Sequence, residues 1–300
     1  MRTRESLALG PRPLYPLKAA ATRVRSALWL LRTSGRIPRD GLRILFYHRV
    51  SADGDELSVS PRRFREQMAA LAETGLEVVD VVEATRRLFM TGSTPVGVVG
   101  LSFDDGYRDV AEEALPVLER HGFRATVFVA TGLIDRTTPV TWCRGVAPAL
   151  LSWPEIRNLD RLGALRFEAH SLTHRNLLSL DDREAWVEIA HAKEVLEGRL
   201  EREVDAYCYP GGLMTERELA FAQEAGYKLA VSCEPGANYP DADRFALRRL
   251  QIDARDTLLD FRAKLGGGHD SALPGRTLYR RLRYGAAMPT RASSLAYRSR

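Results

Sequence analysis

Between residues 43 and 265 the chain alternates about eight times between short apolar runs and longer segments of helical periodicity, joined by brief loops. Strands are expected at 43–50, 76–79, 98–103, 125–130, 165–169, 204–209, 228–232 and 247–252. Helices are expected at 60–74, 81–90, 108–121, 154–162, 181–200, 215–225 and 256–265. Local chemistry supports several boundaries. Ser60-Pro61 is an N-cap followed by a first-turn proline, and Gly75 and Gly122 end the helices before them. Strand–helix alternation with short connections implies parallel β/α architecture, and this length suits one closed or nearly closed barrel. An open doubly wound sheet is the alternative, but no glycine-rich phosphate fingerprint follows the first strand. Gly266-Gly267-Gly268 marks the end of the folded body.

In either architecture the working residues belong at the carboxyl ends of the strands. The apolar run Val98–Phe103 leads straight into Asp104 and Asp105, and Gly106 then breaks it. Two carboxylates at the mouth of a buried strand are costly unless a positive group neutralises them. Neighbouring residues on an extended strand point to different sides, so one acid can bind a metal while the other faces a substrate. The plainer reading is a pair of solvated acids capping the next helix. His170 and His174 follow the strand 165–169; if that segment turns helically, both imidazoles reach one point. Two imidazoles and a carboxylate make an open tripod for a divalent cation. The plainer reading here is one buried structural histidine and one on the surface. His48 and Pro210-Gly211-Gly212 also lie at strand ends. Tyr107, Trp142 and Trp153 could line a substrate or pack in the core, and packing is favoured for Trp153.

The net charge of +5 conceals a division. Residues 1–43 hold ten Lys or Arg against two acids, and residues 271–300 hold seven Arg and no acid, which leaves −10 for the middle. The basic excess in the tails argues against specific nucleic-acid binding. Within the first tail, Leu17, Ala20, Ala21, Val24, Leu28 and Leu31 share one helical face flanked by Lys18, Arg23, Arg25 and Arg32. A basic amphipathic helix over 17–32 suits peripheral contact with an anionic membrane, or packing against the outside of the barrel. Three cysteines without zinc-finger spacing suggest free thiols. With no clear signal peptide, the expected location is cytoplasmic or peripheral to the membrane.

SFDDGY (102–107), AHSLTH (169–174) and YCYPGG (207–212), in this order, resemble the first three motifs of the polysaccharide deacetylases, the NodB-homology carbohydrate esterases. The resemblance implies a distorted (β/α) barrel of about seven to eight parallel strands over 43–268, between a basic tail at 1–42 and a second at 269–300. It implies a hydrolase that removes N-acetyl, or O-acetyl, groups from a polysaccharide or lipid-linked glycan with a divalent metal, Zn2+ or Co2+. Asp105, His170 and His174 match the metal ligands, Asp104 the catalytic base, and Gly211 the backbone donor to the oxyanion. Tyr209 and Pro210 fall beside the substrate. A cation of this kind lowers the pKa of its water to about 7.

Two departures are visible. Where many members carry a base-orienting arginine, this chain has Cys208; Arg249 in the last strand is the expected replacement, since alternation turns Arg248 away. No late Leu-x-His is recognisable. A subset of the family with an N-terminal Tyr-His strand takes its general acid from that histidine, and Tyr47-His48 matches it. Two other readings remain: a deformylase of a lipid-linked amino sugar, and a catalytically impaired glycan-binding barrel that kept the metal site.

Overall fold

The computed structural model describes residues 15–37, 40–90, 92–93, 95–136 and 148–271. The elements are α1 (Tyr15–Thr33), β1 (Arg43–Tyr47), β2 (Arg49–Val50), β3 (Ser58–Val59), α2 (Pro61–Ala72), β4 (Glu77–Val79), α3 (Val81–Met90), β5 (Val98–Phe103), α4 (Leu115–His121), β6 (Ala125–Val129), α5 (Trp153–Leu162), β7 (Leu165–Ala169), α6 (Asp182–Leu200), β8 (Ala206–Cys208), α7 (Glu216–Glu224), β9 (Leu229–Val231), β10 (Leu250–Gln251) and α8 (Leu258–Leu265). Eight of the strands form one parallel sheet in the order β10-β1-β5-β6-β7-β8-β9, with β4 also on β5. β2 and β3 pair separately.

The sheet curls until its ends nearly meet. Segment 244–251 links the two edges. Ala230 N–H donates to Arg244 O and Leu247 N–H to Ala230 O on the β9 side, while β10 pairs with β1 on the other. The barrel expectation therefore holds.

Strand alternation divides the core in two. Leu45, Val127, Tyr207 and Ala230 face the helical layer, where they join Phe64, Met68, Leu118, Ile189 and Phe261. Ile44, Phe128, Ala206, Cys208, Leu229 and Val231 point inward, joined by Val81, Ala84 and Leu88 of α3. Helix ends follow the local sequence. Ser152, Asp181, Thr215 and Thr257 each close a capping box with an acid three residues on.

Three differences from the sequence expectations have physical causes. The helix expected over 108–121 opens with a π-helical turn at Val110–Ala114, where Leu115 N–H reaches back to Val110 O. Pro116 lacks the N–H that Glu112 O would use, and the wider turn absorbs the mismatch. The His170–His174 segment is not helical (below). Finally, segments on both sides of 43–268 touch the barrel: α1 packs along α8 through buried Ser26 and Trp29, and Asp270 pairs with Arg43 at 2.6 Å.

Candidate active site

Asp104 and Asp105 leave β5 at the carboxyl end of the sheet. Asp104 N–H still bonds to Tyr47 O at 2.9 Å, which holds the first acid in register with β1. Asp105 then turns left-handed, with φ of 74°, and Gly106 follows at 75°. A Cβ on Gly106 would sit 2.7 Å from Val129 Cγ1, so only glycine lets the chain pass this close to β6. This reversal sends the two buried carboxylates to different partners.

Asp104 faces Arg249. The guanidinium is fully buried and bidentate, Nη1 to Oδ1 at 2.7 Å and Nη2 to Oδ2 at 2.8 Å. It also donates to Ser102 Oγ and Ser232 O, and it lies against the Phe46 ring at 4.2 Å and near the Phe128 ring at 5.4 Å. Every polar direction of the cation is thus engaged, as burial of a charge requires. Burial pushes the Asp104 carboxyl upward, but the Arg249 charge and hydrogen bonds, with His170 and His48, outweigh it and hold the group below its ordinary range. Cys208 Sγ stands 3.0 Å from Arg249 Nη2, and burial pushes this thiol up to about 11 against the opposing Arg249 charge. Cys208 therefore sits beside the arginine that arrives from β10's edge of the barrel.

Asp105 faces the histidines. Its Oδ1 lies 3.4 Å from His170 Nε2 and 3.4 Å from His174 Nε2. Burial would raise this carboxyl; His170 and the charges of His174 and His48 outweigh it and hold it well below the carboxylate range. The rings are 4.7 Å apart and nearly perpendicular. They meet because Ser171 and His174 both take left-handed backbone, with φ of 63° and 59°, rather than through a helical turn. Ser171 Oγ accepts from His174 N–H at 2.8 Å. Glu188 on α6 grips the same turn through Thr173 N–H at 2.8 Å, the Thr173 hydroxyl, and its own carbonyl to Leu172 N–H. Glu188 went unnoticed in the sequence, although a glutamate in step with Ala185, Ala192 and the neighbouring Ile189 is a visible signal.

These residues fit a divalent cation. Asp105 Oδ1 is buried and makes no hydrogen bond. Its 3.4 Å spacing from both nitrogens matches donors that each stand about 2.0–2.1 Å from a tetrahedral ion, roughly 3.3–3.4 Å from one another. His170 Nδ1 is 2.8 Å from Cys208 O, which orients Nε2 toward Asp105 as an outer partner does for a metal-ligating imidazole. Asp104, His170 and Cys208 also lie close enough to share an ion, but Asp104 and Cys208 are already engaged by Arg249.

The remaining residues separate. His48 lies half-buried just past β1, near enough that its charge lowers both Asp104 and Asp105. Gly211 is exposed in a left-handed turn after β8; a Cβ on Gly212 would come within 2.4 Å of Cys233 N. Tyr107, expected against the substrate, is fully buried with Arg49 over its ring at 5.4 Å, because the chain reversal turns it into the core. Tyr209 is likewise buried, its hydroxyl donating to Phe245 O at 3.0 Å, and Pro210 is buried beside it. Packing wins for all three, and for Trp153. Trp142 lies outside the described residues. Arg49 was also missed: it bonds Asp53, Asp55 and Asp109 at once and secures the loop after β2. Burial pushes Asp109 up to about 6 despite that arginine.

A curled parallel barrel with two divergent carboxylates and a histidine pair at its carboxyl face defines a hydrolase-type site. Residues 91–230 match the sequence profile of the polysaccharide deacetylase family, hydrolases that act on carbon–nitrogen bonds of acetylated sugars. It is 28% identical over 211 residues to YxkH of Bacillus subtilis (strain 168), itself assigned to the polysaccharide deacetylases, covering 70% of this chain and 71% of that one. It is 23% identical over 216 residues to the poly-beta-1,6-N-acetyl-D-glucosamine N-deacetylase of Staphylococcus aureus (strain MRSA252), covering 69% and 72%. In fold it is similar to IcaB from Ammonifex degensii, with a TM-score of 0.66 and 23% identity over 77% of this chain and all of that one.

Proposed function

We propose that this chain removes N-acetyl groups from an amino-sugar polymer or a lipid-linked glycan, using a divalent cation held by Asp105, His170 and His174. The observation that carries this reading is the divergence of two adjacent carboxylates, one locked to a buried arginine and the other left with an unbonded oxygen between two imidazoles. Zn2+, or Co2+ in its place, would supply Lewis acidity for the acetyl oxygen and a more acidic water.

The residues would act as follows. Asp104, ionised at working pH, accepts the proton of the attacking water, and Arg249 fixes its orientation. Proton removal by a positioned base contributes about 10²–10⁴-fold. The Gly211 N–H donates to the oxygen on which charge develops. His48 delivers a proton to the amine nitrogen as the carbon–nitrogen bond breaks, so that acetate and a free amine leave. The activity named for the Staphylococcus aureus relative supports an N-acetylglucosamine polymer as substrate. The Arg249–Asp104 pair supports hydrolysis over an impaired binding barrel, since the base has an orienting arginine despite Cys208 at the motif position.

The test is acetate and formate release from N-acetylated and N-formylated oligosaccharides and lipid-linked sugars, with zinc or cobalt added. Acetate released by wild type, with loss in His48→Ala at unchanged metal content, is expected. Formate without acetate selects the deformylase reading. Binding without release of either acid rejects hydrolysis.

A further inference from the structure

α1 has two faces that do different things. Residues on its inner side dock it to the body. Trp29, 6% exposed, donates from Nε1 to Gly266 O at 2.9 Å, and Ser26, fully buried, donates to Asp260 Oδ1 at 2.7 Å and meets His269 Nε2 at 3.0 Å. Gly266 and Gly268 admit the indole; a Cβ at either would strike it, 2.2 Å from Cζ2 and 2.9 Å from Cγ. The inner side is thus mostly polar with one large ring.

The apolar stripe points the other way. Leu17, Val24, Leu28 and Leu31 recur at helical spacing, diametrically opposite Ser26 and Trp29, and are 65, 59, 43 and 80% exposed. Four large aliphatic side chains aligned on the outside of a helix are not the solvated face that a packed surface helix presents. No described helix is long and apolar enough to cross a membrane.

Charge decides between possible covers. Residues 1–43 carry +8. The C-terminal residues, with seven Arg and no acid over 271–300, start at this same helix: Arg25 Nη1 donates to Ser271 O at 3.0 Å and Arg25 Nη2 to Gly268 O at 3.1 Å. Both basic segments therefore join the body at α1, whereas the rest of the chain carries −10. A second copy of the chain would bring two such positive regions together. An anionic bilayer would accept the stripe and attract both segments.

We infer that the outward face of α1 lies in the interface of an anionic lipid membrane, with the barrel held at its surface by the Ser26 and Trp29 contacts of the same helix. This is independent of the catalytic proposal, since none of these residues belongs to the site.

The experiment is flotation of the full chain with vesicles of phosphatidylcholine alone and of phosphatidylcholine with phosphatidylglycerol, at low and high salt. Wild type should float with the anionic vesicles, less so at high salt, and weakly with the neutral ones. The triple variant Val24→Glu, Leu28→Glu, Leu31→Glu should bind about tenfold or more weakly while keeping the wild-type circular dichroism spectrum. Arg32→Gln, changing an exposed flanking charge, should weaken binding at low salt only. Flotation unchanged in the triple variant, equal flotation with neutral vesicles, or none with anionic ones overturns the inference. So does light scattering that finds a wild-type dimer and a triple-variant monomer, which would assign the face to a second copy.

Discussion

Among the described residues, two buried clusters bring a carboxylate and histidine together, directly or through a hydroxyl, and they are built to opposite ends. At the α1–α8 contact, Asp260 receives Ser26 Oγ at 2.7 Å, Thr257 Oγ1 at 2.7 Å and Thr257 N–H at 2.9 Å, with Arg23 at 3.2 Å, and His269 closes on Ser26. At the strand ends, Asp105 Oδ1 is buried with no hydrogen bond and stands equidistant from two imidazole nitrogens. In the first cluster both oxygens of the carboxylate accept hydrogen bonds, and the cluster fastens a helix. The second leaves an acceptor that the protein does not satisfy, arranged around a point rather than around a partner. Burial and residue type are alike in both; what separates a fastening from a ligand site is whether the hydrogen-bond valences close.

The sharpest way to break this contrast is at the base. Asp104→Asn, assayed where its circular dichroism spectrum is that of the folded protein, should lower acetate release about 10²–10⁴-fold with metal content per chain unchanged. Activity near wild type would remove Asp104 from the chemistry. Next in size is Arg249→Ala, which strands a buried carboxylate and should cost about 3–5 kcal/mol in urea unfolding. A cost near zero would mean that the pair does not hold the barrel mouth.

Metal linkage sharpens the difference between the clusters. Saturating zinc should stabilise wild type by about 2.7 kcal/mol at a hundredfold excess over its dissociation constant. His174→Ala should lose that gain and Ser26→Ala should keep it, as read by thermal shift. Equal zinc responses in both variants would erase the distinction.

The last effect is read as a slope and concerns pH. Burial holds His269 neutral and pushes it down to about 3, against about 6.5 in an unfolded chain. A depressed folded value means that the unfolded chain binds more protons between those limits. This contribution is complete above about pH 6.5 and fades as pH falls toward 3, by up to about 1.4 kcal/mol per pH unit. His269→Gln should flatten the acid side of the stability profile in that window. An unchanged slope would place the sensitivity elsewhere.

Much of this was legible without coordinates, for reasons particular to each element. Strand 98–103 and helix 81–90 have the predicted ends because apolar runs, caps and glycines act within a few residues. Asp104, Asp105, His170 and His174 were legible as chemistry because motif order carries them. Glu188 and Arg49 were not, since their partners are distant in sequence or lie in an irregular loop. The burial of Tyr107 and Tyr209 was also hidden, because an aromatic at a strand end can face either way and only the surrounding packing chooses.

The sequence by itself determined the alternation, the barrel class and the identities of the ionisable groups at the strand ends, all of which follow from short-range periodicity and spacing. Tertiary structure alone decided the bidentate geometry in which the expected Arg249 meets Asp104 across 145 residues, a contact made only when the sheet curls shut. It also decided which face of α1 turns inward. Amphipathicity says that a helix has two faces, and here polar hydrogen bonds and one indole outcompete the aliphatic stripe for the protein side. The physical reason is common to both: local sequence sets which groups can interact, whereas closure of the chain sets which of them come within reach.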